Sequence, residues 1–128
     1  ENYLIQEFVS TKHELLIGGY RDSSFGPVIM FGSGGKYVEV LDDTAIRSAF
    51  ITDEEIDEMI LSTKMGKILS GVRGENAADL SQLKNIIKST SQMLIENQGI
   101  IEFDLNPLIL DISNKFHAVD IRIKYGKQ

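Results

Sequence analysis

Two stretches late in the chain carry oxygen ligands inside β-like sequence, where carboxylates are normally scarce: Glu102-Phe103-Asp104-Leu105-Asn106-Pro107-Leu108 and Ala118-Val119-Asp120-Ile121-Arg122. Successive side chains of a strand alternate between faces, so Glu102, Asp104 and Asn106 share one side while Ile101, Phe103 and Leu105 share the other. The second run alternates likewise, with Val119, Ile121 and Ile123 expected inward and Asp120 and Arg122 on the polar face. A hairpin turning within residues 111–115 and centred on Ser113 brings Asn106 opposite Asp120, because the two positions are equally far from 113. Cβ atoms of such a cross-strand pair lie roughly 4.5–5.5 Å apart, close enough for both side chains to hold one cation. Oxygen-only donors suit a hard ion, and one or two protein oxygens completed by phosphate oxygens and water is the usual way of holding Mg²⁺. The pattern therefore reads as a Mg-nucleotide site. The same alternation also describes the wet face of an ordinary hairpin, and spacing alone leaves both readings open.

Other residues are compatible with nucleotide chemistry without demanding it. Gly32-Ser33-Gly34-Gly35, followed by Lys36, could cradle a phosphate through backbone N–H groups, since glycine permits close approach and positive φ. It lacks the Walker spacing, however, and by itself equally describes a hairpin turn. Arg21, Arg47 and Arg73 are candidate phosphate contacts, because a guanidinium offers a planar fork to phosphate oxygens, although any one of them could be a surface charge. Glu7 and Glu14 stand as acids in apolar strands, and the hydroxyls of a ribose would be fitting donors for them. His13 and His117 lie far apart with no partner at metal-ligand spacing and read as structural or exposed. No Ser/His/Asp order of a hydrolase motif is present.

Composition narrows the class. At 128 residues and 42% hydrophobic the chain is of single-domain size and can form a core unaided. Thirteen Lys and Arg against 19 acids give a net charge of −6, which argues against nucleic acid as a partner and requires local positive charge for any bound polyphosphate. The absence of cysteine excludes disulfides, thiolate metal sites and a cysteine nucleophile. No apolar run approaches about 18 residues, and no signal-peptide pattern is present, so a cytoplasmic protein without a membrane partner is expected. The chain starts at Glu1 rather than Met, as expected of a piece cut from a longer polypeptide.

The elements that must position these residues follow from pattern. Residues 3–9 and 13–20 read as a hairpin around Ser10-Thr11-Lys12, and residues 28–31 and 37–41 extend it to a four-strand meander. Thr52 followed by Asp53, Glu54 and Glu55 is a capping box that starts a helix over about 53–61. A short helical or irregular piece follows between Lys64 and Gly74. A longer helix spans 78–96, with Leu80, Leu83, Ile87 and Leu94 on one stripe, Ile86 alongside, and Gly99 at the C′ position. Strands over 100–105 and 117–123 close the chain. Strands, then helices, then strands indicate an α+β fold with an antiparallel sheet packed on helices.

Taken together, Gln6-Glu7-Phe8-Val9, Glu14-Leu15, Arg21-Asp22, Phe25-Gly26-Pro27-Val28, Phe31 to Gly35, Val38-Glu39-Val40, Gly71-Val72-Arg73-Gly74 and Asp104 to Leu108 resemble the ATP-grasp domain of NDP-forming acyl-CoA synthetases. That family includes the β subunit of ADP-forming acetyl-CoA synthetase and, more distantly, that of succinyl-CoA synthetase. The resemblance implies that Gln6, Glu7, Phe8 and Val9 form the hinge against which adenine lies and that Glu14 takes the ribose hydroxyls. It makes Asn106 and Asp120 the Mg²⁺ ligands and gives Asp104 a supporting catalytic role toward the metal or a phosphorylated intermediate. Arg21, Gly34, Gly35, Glu39 and Arg73 become phosphate-side or interface positions. The implied reaction is acyl-CoA + ADP + phosphate giving acid + ATP + CoA, through an acyl phosphate and a phosphohistidine.

By this resemblance the chain is expected to correspond to only the second half of the ATP-grasp fold. The first half, with its nucleotide-contacting lysine, and the CoA-binding and phosphohistidine domain or α subunit would be supplied elsewhere, and neither His13 nor His117 matches the phosphorylated histidine. This chain alone is therefore not expected to catalyse the full reaction. A rival reading is a regulatory or scaffold domain of synthetase ancestry, such as the one joined to a protein lysine acetyltransferase. A further possibility is an interaction domain whose edge strands pair with another subunit.

Overall fold

The fold is set by where the chain can place its apolar side chains. A computed structural model describes residues 11–35, 42–71 and 78–126. The expected strands over 3–9 and 37–41, and with them Gln6, Glu7, Phe8, Val9, Lys36, Glu39 and Arg73, lie outside the described residues. Strands β1 (Thr11–Asp22), β2 (Gly26–Ser33) and β3 (Thr44–Ser48) are followed by helices α1 (Asp53–Leu61), α2 (Lys64–Leu69) and α3 (Leu80–Glu96). Strands β4 (Ile100–Asp111), β5 (Phe116–Ala118) and β6 (Ile121–Tyr125) complete the order. The sheet runs β3-β2-β1-β4-β5, with β6 also on β4, and every pairing is antiparallel. Strand β4 is thus central, with β1 on one edge and β5 and then β6 along the other. The α+β architecture expected from the sequence is the one observed.

Local signals act where they are strongest. Helix α1 starts at Thr52, whose hydroxyl accepts from Glu55 N–H at 3.1 Å while the Glu55 carboxylate accepts from Thr52 N–H at 2.9 Å. Helix α3 is capped by Asp79 and buries Leu83, Ile87 and Leu94 against the sheet. Its end differs from expectation: Asn97 is the C-cap, and Gly99 does not adopt positive φ. Arg21 of β1 does the capping instead, donating to the carbonyls of Leu94, Asn97 and Ile100. The short strand β3 also goes beyond the sequence expectation.

On β4 the buried residues are Ile100, then Phe103 and Leu105, then Leu108 and Leu110, so the inward position changes between even and odd twice. Each change coincides with a register shift, one at Ile100/Glu102 against β6 and one between Leu105 and Leu108 against β1. These are bulges, in which an extra residue on one strand re-aims the side chains beyond it. Ile101 sits at the first and is exposed rather than inward. Ile121 and Ile123 oppose Leu105 and Phe103, which places them on the expected face. They are nevertheless 57% and 37% exposed, and Val119 is exposed too, because the helices pack chiefly over β1, β2 and β3 and leave β6 uncovered. Among the described residues no helix is long and apolar enough to cross a membrane.

Candidate functional site

The second bulge is where the candidate ligands meet. Leu15 opposes Leu108 and Ile17 opposes Leu105, so Asn106 and Pro107 together face the single residue Leu16. Pro107 has no N–H to give the ladder, and the opposite edge is interrupted at the same level, between β5 and β6. Leu105 pairs with Ile121 and Leu108 with Ala118, which leaves Asn106 facing Asp120, and Asn106 N–H points to the Asp120 carbonyl at 3.4 Å. The turn within Asp111–Lys115 that sets this register is closed by Asp111 N–H to Lys115 O at 2.9 Å. Asp111 accepts at Oδ1 from Ser113 and Lys115 N–H, and its Oδ2 lies 2.7 Å from His117 Nε2. The Lys115 N–H, assisted by His117, holds the Asp111 carboxyl below its ordinary range. His117 is thereby a structural residue of the turn.

The glycine run reaches the same place from β2. Gly34 N–H donates to the Glu14 carbonyl at 2.9 Å, and Gly35 N–H donates to Asn106 Oδ1 at 2.9 Å. Gly35 has φ +89°, and a Cβ there would overlap the Glu14 carboxylate, while a Cβ on Gly34 would overlap the Leu15 carbonyl. Both positions require glycine for conformation or close approach. Their N–H groups orient protein acceptors, so the loop's observed work is to lock Glu14 and the Asn106 carboxamide beside each other.

Glu14 belongs by alternation to the β1 face opposite the buried Leu15 and Ile17, the face that also carries Gly18, and Gly18 pairs with Asp104. Asp104 in turn faces Arg122, two residues along from Asp120. Glu14, Asp104, Asn106, Asp120 and Arg122 are thus gathered on the face of the sheet away from the helices. Asp120 is about half exposed, and its Oδ2 lies 3.5 Å from Arg122 Nε. The arrangement offers a carboxamide oxygen with one lone pair taken by Gly35 and the other open, next to an accessible carboxylate. Among the described residues no group of three or more His, Cys, Asp or Glu could hold a metal by itself. A hard ion here would rest on the Asn106 and Asp120 oxygens and complete its shell with ligand oxygens and water, which is the coordination Mg²⁺ accepts.

The structure does not bring Arg21 or Arg47 to this face. Arg21 is seven residues from Glu14 along β1, about 23 Å at the rise of a strand, and its guanidinium is spent on the α3 carbonyls. In this structure Arg21 serves as a helix cap. Arg47 donates to its neighbour's carbonyl, Ile46 O, from β3. Two residues to which the sequence alone assigned no role are structurally prominent. Buried Asp43 accepts from Ser33 Oγ at 2.8 Å and from Lys64 and Met65 N–H at 2.8 and 2.9 Å, tying the start of α2 to the end of β2. Burial raises its pKa, but the donors from Lys64, Ser33 and Met65 outweigh that and hold it below the ordinary value. The other is Arg122, whose signal was its spacing of two from Asp120.

An ATP-grasp domain matches residues 1–125, and the chain belongs to that family. Within it, the chain is 39% identical over 128 residues to the ADP-forming acetate–CoA ligase I of Archaeoglobus fulgidus, covering all of this chain and 18% of that protein. It is 38% identical over 120 residues to the β subunit of ADP-forming acetate–CoA ligase I of Pyrococcus furiosus, covering 94% of this chain and 51% of the subunit. It is also 44% identical over 121 residues to the ADP-forming 4-hydroxybutyrate–CoA ligase of Nitrosopumilus maritimus, 94% of this chain and 17% of that one. Among solved structures, the dinucleotide-forming acetyl-coenzyme A synthetase 1 of Candidatus Korarchaeum cryptofilum, in complex with coenzyme A and Mg-AMPPCP, aligns with TM-score 0.86 and 37% identity. That alignment covers 94% of this chain and 56% of that one. The chain spans about half the length of the β subunit it matches and under a fifth of the longer ligases.

Proposed function

We propose that this chain is the second half of an ATP-grasp fold and supplies the Mg-nucleotide-binding face of a cytoplasmic ADP-forming acyl-CoA synthetase. In this reading Asn106 and Asp120 hold Mg²⁺, Glu14 accepts from the ribose hydroxyls, and Asp104 supports the metal or a phosphorylated intermediate. Gln6, Glu7, Phe8 and Val9 line the adenine. The partners are adenine nucleotide, the first half of the ATP-grasp fold, and a CoA-binding part with the phosphohistidine. The observation that carries the reading is the cross-strand pairing of Asn106 with Asp120 at a bulge whose amide is oriented by Gly35. When bound, Mg²⁺ neutralises polyphosphate charge. Phosphoryl transfer asks little covalent chemistry of the protein beyond such positioning, so the task of these residues is orientation: Gly35 N–H fixes which amide atom faces the ligand, and Gly34 fixes the strand that carries Glu14.

A non-catalytic domain of synthetase ancestry is less favoured, since a retired site has no physical need for Asn106, Asp120 and Glu14 gathered on one face. The test is the complete enzyme carrying Asp120→Ala. Mg-nucleotide-dependent acyl-CoA synthesis is expected to disappear while the protein stays folded. Full activity in that variant would sink the metal assignment.

A further inference from the structure

A polyphosphate approaching this face meets the carboxylates of Glu14, Asp104 and Asp120 in a chain of net charge −6. One divalent ion cannot by itself balance both those acids and the phosphates, so local positive charge is required. Three arginines lie among the described residues. Arg21 is committed to the carbonyls of Leu94, Asn97 and Ile100, and Arg47 donates to Ile46 O on β3. Arg122 differs in three respects. It shares the face of Asp120 by strand alternation and stands opposite Asp104 in register. It leans to Asp120, with Nε 3.5 Å from Oδ2, while among the described residues no ion pair joins it to the acid directly opposite. Its side chain is 78% exposed, and among the described residues its two terminal nitrogens have no protein acceptor.

We propose that Arg122 is a phosphate-contacting residue of the nucleotide site, presenting its terminal nitrogens to phosphate oxygens next to the Asn106–Asp120 pair. This assignment rests on the Mg-nucleotide reading above and adds to it a residue that supplies positive charge at the site. A guanidinium two positions from a metal-ligating carboxylate is placed to share one phosphate group with the ion, since its Nε edge reaches the carboxylate while its fork remains open for a bidentate contact. A solvated cross-strand pair would instead bring Arg122 against Asp104.

The test is calorimetric titration of the complete enzyme, wild type, Arg122→Ala and Arg122→Lys, with Mg·ATP, Mg·ADP and AMP. Loss of the contact should weaken Mg·ATP and Mg·ADP by roughly 10- to 100-fold, the scale of hydrogen bonds to a charged group, and change AMP by less than about 2-fold. The lysine variant, which keeps the charge and loses the fork, should fall between. Equal losses for AMP and ATP, or no loss for either, would overturn the assignment while leaving the nucleotide site standing. A wild-type enzyme that binds neither Mg·ATP nor Mg·ADP overturns the underlying reading and this one with it.

Discussion

Replacing Gly35 with alanine tests whether the glycine run works by orienting side chains. Two costs follow from the structure. Gly35 has φ +89°, where an L side chain is strained by about 1–2 kcal/mol. Relief of the overlap between the new Cβ and the Glu14 carboxylate moves the backbone that donates to Asn106 Oδ1, and that hydrogen bond contributes about 1 kcal/mol. The sum, about 2–3 kcal/mol, acts on Glu14 and Asn106 together, so nucleotide affinity should fall roughly 30- to 150-fold if it is wholly expressed at the site. The assay is titration of the complete enzyme with Mg·ATP, with circular dichroism confirming that the variant is folded. Wild-type affinity in a folded Gly35→Ala protein would refute the idea that this glycine holds the carboxamide and the acid in place.

Other expectations are more local. Arg21→Ala should cost about 2–3 kcal/mol of stability by uncapping α3, yet leave Mg·ATP affinity within about 2-fold; a large loss of affinity with unchanged urea stability would return Arg21 to the phosphates. Asp43→Asn should cost about 1–3 kcal/mol in urea unfolding, because one oxygen must replace two as acceptor for Ser33, Lys64 and Met65. The Asp43 carboxyl titrates below 3.8 in the folded protein, so its contribution is complete above that value and is lost as the pH falls through the folded pKa. Stability profiles of the wild type and Asp43→Asn should therefore converge in acid, and a constant difference down to pH 2 would contradict the role.

Much of this was legible because local rules and the tertiary fold agree. The capping box at Thr52 and Glu55 announces α1 from its own hydrogen bonds, and the symmetry of Asn106 and Asp120 about Ser113 gives their pairing without knowledge of the rest of the sheet. The departures have identifiable origins. Ile121 and Ile123 carry the alternation of a core strand, but alternation defines a face and not whether anything covers it; at the sheet edge the helices do not reach. Ile101 is turned out by a bulge that leaves no compositional mark. An arginine at a strand end is chemically equivalent in sequence to one at a site, and only the three-dimensional end of α3 shows which carbonyls Arg21 holds. Asp43 carries no local signal because its donors lie 10 and more than 20 residues away. The glycine run was recognised for its backbone freedom, whereas its acceptors, Glu14 O and Asn106 Oδ1, come from two other strands.

The most direct test of the central claim is titration of the complete enzyme with ADP and ATP, each with and without Mg²⁺, repeated on the Asn106→Ala/Asp120→Ala double variant. Nucleotide binding that strengthens with Mg²⁺ in the wild type and loses that dependence in the folded double variant is the predicted result. Equal Mg²⁺ dependence in both proteins would contradict it and place the ion elsewhere.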